Sequence, residues 1–194
     1  MKEKSLITIA ITCFNAEKTI DRAISSALNQ DWGDFEIIIV DDASTDSSKG
    51  ILEKYKFKSK NLKIFYQSKN KGCAESRNLI ISEAKGEFII FFDDDDFSRS
   101  DRIRLQYEHL INYEKTKSAK LVACFASGLR IYPNSYEKEI SAVGVFGNPP
   151  IGLEMANYLL FNERSKHLYY GAGVPTCSLI VRTSVFKDIG GFDV

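Results

Sequence analysis

Short apolar runs alternate with helical patterns through the first half of the chain. Residues 5–12 (SLITIAIT) form a compact apolar strand. Across 16–30, Ile20, Ala23, Ile24, Ala27 and Leu28 recur at helical spacing, with Asn15 as the expected N-cap. Residues 36–40 (EIIIV) are a second strand that ends abruptly in Asp41-Asp42. A weaker helix spans 45–57, with Ile51, Leu52 and Tyr55 on one face, and a third strand spans 62–66. Residues 72–84 are helical, and 88–92 (FIIFF) are a fourth strand running into Asp93. A longer helix covers 99–117, with Ile103, Tyr107, Leu110 and Ile111 facing inward. Strands that are apolar along their length are buried on both faces, as in parallel sheets covered by helices. Their alternation with helices at this spacing predicts an α/β fold with a mostly parallel, Rossmann-like sheet.

The pattern loosens after residue 118. A strand is expected over 121–131, loop over the Pro/Gly/Asn-rich 132–152, a short helix over 153–161 and a strand over 178–181. A helical turn over 184–189 closes at Gly190-Gly191. No internal repeat is present. A length of 194 residues suits one packed domain. Within 1–194 the expectation is a regular nucleotide-binding half, 1–117, followed by an irregular, partial half, 118–194.

Composition narrows the function classes. Lys plus Arg and Asp plus Glu both total 26, so no global field favours nucleic acid or an anionic membrane. No window reaches the roughly 18 apolar residues of a membrane-spanning helix, and the charged start Met1-Lys2-Glu3-Lys4 is unlike a signal peptide. A cytoplasmic protein is expected, with association at the inner face of the membrane left open. Cys13, Cys73, Cys124 and Cys177 are widely spread with no Cys-x-x-Cys pair, which argues against structural zinc and a disulfide framework. They read as reduced and mostly buried.

Polar clusters follow three of the strands: Thr12–Asn15 after the first, Asp41–Asp46 after the second and Asp93–Asp96 after the fourth. Ligands of open α/β sheets bind outside the carboxyl ends of the strands, so these clusters are expected to converge. Four adjacent carboxylates repel one another, and an acidic run is usually a solvated loop. Pinned to a buried strand, the run suits Mg²⁺ or Mn²⁺, which take oxygen ligands and keep positions for substrate phosphates. Alternation along an extended segment predicts Asp93 and Asp95 facing one way and Asp94 the other. An EF-hand reading fails, because Phe97, Ser98 and Arg104 stand where a ligand, a Gly and a Glu are needed.

Asp41-Asp42 can accept from a base N–H or a ribose hydroxyl, whereas Ser44–Asp46 are explained by a helix start, Ser44 or Thr45 capping it. Arg77, near a helix N-terminus, calls for an anionic partner, either a diphosphate or a carboxylate such as Glu75 or Asp46. Gly-x-Gly-x-x-Gly, Walker-type and Gly-x-Ser-x-Gly motifs are absent. His109 and His167 read as structural or surface residues.

Together these residues resemble the nucleotide-binding half of glycosyltransferase family 2, which has the GT-A fold. Thr12-Cys13-Phe14-Asn15 resembles the family's Pro-Thr-Tyr-Asn signature, and Ser26-Ala27-Leu28-Asn29-Gln30 its Ser-Val-Leu-Asn-Gln pattern. Val40-Asp41-Asp42-Ala43-Ser44-Thr45-Asp46, Asn70-x-Gly72 with Arg77-Asn78, and Phe92-Asp93-x-Asp95-Asp96 follow in order. The resemblance implies an inverting, metal-dependent transferase using a nucleotide sugar, usually UDP-linked, with Mg²⁺ or Mn²⁺ and a glycan or lipid-linked acceptor. It implies that Thr12 and Phe14 line the base pocket, Asp42 holds the base, Arg77 sits near the nucleotide and Asn15 belongs to the nucleotide-sugar site. Asp93 and Asp95 would contact ribose and metal, the direct ligand being Asp95 or Asp96. Thr12, Phe14 and Ala43 depart from the family's Pro, Tyr and Gly.

The segment from Ser178 to Asp193 resembles the stretch shortly before the family's Glu-Asp motif, so the catalytic base is expected beyond Val194. The alternative is a module that binds nucleotide sugar without turning it over. A phosphoacceptor receiver lacks its Lys after the later strands, and a nucleotidyltransferase lacks its Gly-rich basic loop. Acceptor contacts are expected within 132–175, where Tyr136, Phe146, Tyr158, Tyr169 and Tyr170 offer stacking faces.

Overall fold

A computed structural model describes residues 5–145, 151–161 and 174–194, without the side chains of 159–161. His167, Phe146, Tyr169 and Tyr170 lie outside the described residues. The chain runs β1 (Ile7–Cys13), α1 (Ile20–Leu28), β2 (Phe35–Asp41), α2 (Ser48–Lys56), β3 (Leu62–Tyr66), α3 (Cys73–Glu83) and β4 (Phe88–Asp93). It continues through α4 (Arg102–Lys117), β5 (Ala123–Phe125), β6 (Gly128–Ile131), β7 (Glu137–Ile140), α5 (Leu153–Phe161), β8 (Leu179–Arg182) and α6 (Thr183–Ile189). These residues gather into two compact units, one reaching to Cys124 and including Ile180–Val194, the other Phe125–Leu179. Among the described residues no helix is long and apolar enough to cross a membrane.

The fold is α/β, with a six-stranded sheet of order β3-β2-β1-β4-β8-β5. β1 is parallel to both β2 and β4, β3 is parallel to β2, and β8 is antiparallel to β4. Both faces are covered, which is why the strands carry apolar residues at consecutive positions. Ile7, Ile9, Ile11, Ile37, Ile39, Phe88 and Ile90 are fully buried, each such side chain contributing about 1.5–3 kcal/mol. α1 buries Ile20, Ala23, Ile24 and Ala27. α2 is tied to α1 by Tyr55, whose hydroxyl donates to Asp21 Oδ1 at 2.8 Å and lies 3.0 Å from Ser25 Oγ. On α4, Tyr107 packs against Trp32 and Phe88, with ring centroids 4.7 and 5.1 Å apart.

Register brings the site together. Thr12 lies opposite Val40 on one side and Asp93 on the other, so β1, β2 and β4 end level. The chain winds outward from β1 through β2 to β3 and then returns to the far side of β1 as β4. That reversal opens a crevice at the carboxyl ends of β1 and β4, where doubly wound sheets bind ligands.

Several expected boundaries move, for physical reasons. α1 starts at Ile20 with Thr19 before it, and Asn15 is not its cap. Asn15 instead adopts a left-handed conformation, φ 52°, and its side-chain oxygen accepts from Thr45 N at 2.8 Å. α2 starts at Ser48 rather than 45, and neither Ser44 nor Thr45 caps it; Asp46 Oδ1 accepts from Ser48 N at 2.9 Å. The strand expected over 121–131 is two, because Ala126 N turns away to Ser178 O at 3.0 Å. β6 then pairs with β7, a charged Glu-Lys-Glu-Ile segment inside the expected loop that carries no apolar alternation.

Ala43 is also left-handed, φ 62°, a conformation that costs a residue with a Cβ about 1 kcal/mol. Ala43→Gly should therefore stabilise the protein by about 1 kcal/mol, read as a higher denaturant midpoint at unchanged slope. A midpoint equal to or below that of the parent would count against strain at this turn.

Candidate functional site

The crevice is an open cleft of about 410 Å³ beyond the ends of β1, β2 and β4. Thr12, Phe14, Asp42, Arg77, Asp93 and Asp95 line it, as do Asn70, Gly72, Cys73, Ser76 and Asp94. Thr12, Phe14, Asp42 and Asp93–Asp95 meet because they stand at, or just past, the level ends of β1, β2 and β4, and the start of α3 adds Cys73, Ser76 and Arg77.

The first wall is the end of β1. Phe14 is 47% exposed, an aromatic residue that the core leaves largely open to the cleft. Asn15 is not part of the cleft lining. Its backbone N–H donates to Ser44 Oγ at 2.9 Å, and its side chain holds Thr45, so it laces the β1 and β2 loops together.

The second wall joins β2 to α3. Asp42 is 4% exposed. Its two carboxylate oxygens accept the backbone N–H groups of Lys71 and Gly72, each at 2.8 Å. Gly72 has φ 90°, the left-handed region that glycine enters without a Cβ penalty, and it starts α3 one residue later. Cys73 is exposed in this wall, its sulfur 3.5 Å from Thr12 Oγ1, which corrects the expectation of buried cysteines; Cys13 is the buried one. Arg77, a turn into α3, finds a carboxylate as its partner: its guanidinium lies 3.6 Å from Asp93 and 5.4 Å from the Phe192 ring centroid. Neither Glu75 nor Asp46 is that partner. The neighbouring Asn78 fixes the backbone of Phe192 by donating to its oxygen and accepting from its nitrogen, both at 2.8 Å.

The third wall is the acidic run. β4 ends at Asp93, and the chain turns, with Asp96 N donating to Asp93 O at 3.4 Å. The alternation expected for 93–95 therefore stops at the strand end, and Asp94 lines the cleft together with Asp93 and Asp95. Sequence reasoning missed Asp94 by extending the strand geometry one residue too far. Asp94 Oδ2 accepts the Phe14 N–H at 3.0 Å. Asp95 and Asp96 are exposed. Asp96 is not part of the cleft lining, though one of its carboxylate oxygens lies within 4.8 Å of an Asp93 oxygen.

Burial pushes the Asp94 carboxyl up to about 6; the Phe14 N–H opposes the shift and the charges of Asp95 and Asp93 add to it. An unfolded Asp titrates near ~3.9. Between those values the native chain holds a proton that the unfolded chain has released. The stability from this group is present below about pH 4 and lost as pH rises through about 6. Asp94→Asn should accordingly lose less stability than the parent between about pH 4 and pH 7. Chemical denaturation at both pH values checks this, and equal losses in the two proteins would remove Asp94 as the source.

The family model of glycosyl transferase family 2 matches residues 8–188. The chain belongs to glycosyl transferase family 2, and its sheet and helices are those of the GT-A fold. It is similar to the UDP-Glc:alpha-D-GlcNAc-diphosphoundecaprenol beta-1,3-glucosyltransferase of Escherichia coli. Those two are 31% identical over 186 residues, which is 95% of this chain and 62% of the relative. A cholesterol galactosyltransferase of Borreliella burgdorferi is 36% identical over 159 residues, 81% of this chain and 42% of that protein. Residues 1–349 of S. aureus TarS, solved in complex with UDP-GlcNAc, share the fold with a TM-score of 0.68 at 23% identity, covering 96% of this chain and 48% of that one. The chain thus spans between 42% and 62% of the length of these two curated relatives.

Proposed function

We propose that the first part of the chain, 1–117, is the donor-binding half of an inverting glycosyltransferase, and that its donor is a UDP-linked sugar. One observation carries the reading: an exposed aromatic face, an arginine and a run of acids stand around one cleft at the point where the strand order reverses. Phe14 stacks on the base, and Thr12 and Asp42 border it. Arg77, which pairs with Asp93, offers its remaining donors and positive charge to the diphosphate. The UDP-Glc in the name of the Escherichia coli relative supports a uridine donor.

The donor set fits a hard cation. Asp93, Asp94 and Asp95 crowd carboxylates onto one side of the cleft, and an Asp96 oxygen approaches Asp93. Oxygen ligands of this kind suit Mg²⁺ or Mn²⁺. Asp95 and Asp96 would hold the ion, with Asp93 turned to ribose and metal. When bound, such an ion stabilises the negative charge of a departing diphosphate. The residues of this chain bind and orient the donor while the acceptor hydroxyl attacks the anomeric carbon and a carboxylate takes its proton. A glycan or lipid-linked acceptor is supported by the undecaprenol-linked and cholesterol substrates in the relatives' names, and a lipid-linked acceptor would bring the protein to a membrane surface.

Calorimetry with UDP, GDP, CDP and UDP-sugars, with and without Mn²⁺, tests the reading. The expected result is binding selective for uridine nucleotides and strengthened by the metal. Heat from none of the nucleotides would sink it.

A further inference from the structure

We infer that Asp94 is a positioning residue: it latches the backbone of Phe14, so that the acidic loop sets the place of the ring that stacks on the base. The inference rests on the donor-site reading above. The β1–β4 ladder ends at the pair Thr12 and Asp93. On the β2 side the pairing continues one step, with Asp42 N donating to Cys13 O at 2.8 Å. On the β4 side it does not, because the chain turns at Asp94. Phe14 N–H thereby loses the strand carbonyl that a longer β4 would offer. The Asp94 carboxylate takes that place at 3.0 Å. A charged acceptor makes a stronger hydrogen bond than a carbonyl does.

The next residue is held from the opposite side. Asn15, left-handed at φ 52°, donates to Ser44 Oγ and accepts from both Thr45 N and Thr45 Oγ1. Phe14 therefore stands between two anchors, the acid loop at its nitrogen and the β2 loop at Asn15. Phe14 itself is 47% exposed, so little of the core packs on its side chain. Asp94 thus differs from its neighbours: Asp93 pairs with Arg77 and Asp95 lines the cleft, whereas Asp94 acts on the base end through Phe14. Movement of the acidic loop past the Thr12–Asp93 pair reaches the Phe14 backbone through this hydrogen bond.

The test uses uridine, which lacks the diphosphate, in metal-free buffer, together with amide hydrogen exchange at Phe14. Asp94→Ala should speed Phe14 exchange and weaken uridine binding roughly tenfold, the scale of one hydrogen bond to a charged group. Asp94→Asn keeps a neutral acceptor oxygen and should lie between Asp94→Ala and the parent in both readouts. A general loss of structure would instead speed exchange across β1 in both variants. Three results overturn the latch: parental uridine affinity in Asp94→Ala, equal uridine losses in the two variants, or loss of UDP binding confined to metal-containing buffer, which would make Asp94 a metal ligand. If the parent binds neither uridine nor UDP, the donor-site reading falls and takes the latch with it, an outcome distinct from these three.

Discussion

Asp95→Ala is expected to lower metal-dependent UDP affinity by at least roughly 100-fold, the upper end of what losing a mere outer partner of a metal site costs. The neighbours show why this position matters most. Asp93 already faces Arg77 at 3.6 Å, and Asp94 already accepts the Phe14 N–H. Among the described residues, no hydrogen bond or ion pair engages the Asp95 carboxylate, and it lines the cleft. Its backbone oxygen accepts from Arg22, a contact that alanine keeps. An exposed site of this kind changes stability by no more than about 0.5 kcal/mol, so the variant should melt with the parent. Calorimetry in Mn²⁺ reads the effect, and parental affinity in the folded variant would move the metal site elsewhere in the run.

Asp42→Ala should cost about 3 kcal/mol of stability, because it strips the acceptor from two backbone N–H groups at once. Both oxygens of this nearly buried carboxylate are engaged, one by Lys71 and one by Gly72. For a chain of this size the loss corresponds to a melting temperature lower by about 6–12 °C. Asp42→Asn should lie between the two, since its amide offers one oxygen to one of the donors and sets a nitrogen against the other. Scanning calorimetry of the three proteins ranks them, and a variant that melts with the parent would mean that water replaces the carboxylate. UDP affinity should fall with stability here, because the Lys71–Gly72 turn carries the wall that leads to Arg77.

Much of this arrangement was legible in the residues. The Ile- and Phe-rich runs that became β1, β2 and β4 are buried on both faces, and their apolar continuity announces that. The acids announce the strand ends, since Asp41-Asp42 and Asp93 cannot continue a buried strand without partners. What escaped depended on contacts between distant segments. Asn15 looks like a helix cap until Thr45 is brought beside it. Asp94 seems turned away until the chain is seen to bend after Asp93. β7, Glu137–Ile140, has no apolar face to betray it and owes its strand to pairing with β6. Arg77 had a diphosphate or a carboxylate open to it, and the carboxylate that pairs with it is Asp93, from the adjacent strand end rather than its own helix.

The clasp between Asn78 and Phe192 joins residues 114 apart in sequence. A ribosome adding roughly 5–20 residues per second needs on the order of 10 s to travel that distance. During that interval α3, with Arg77 on it, exists without the segment that later holds its flank. Tight nucleotide capture by a nascent chain is therefore expected only once Phe192 has emerged, and nascent chains stalled just before it should hold chaperones longer than they hold UDP.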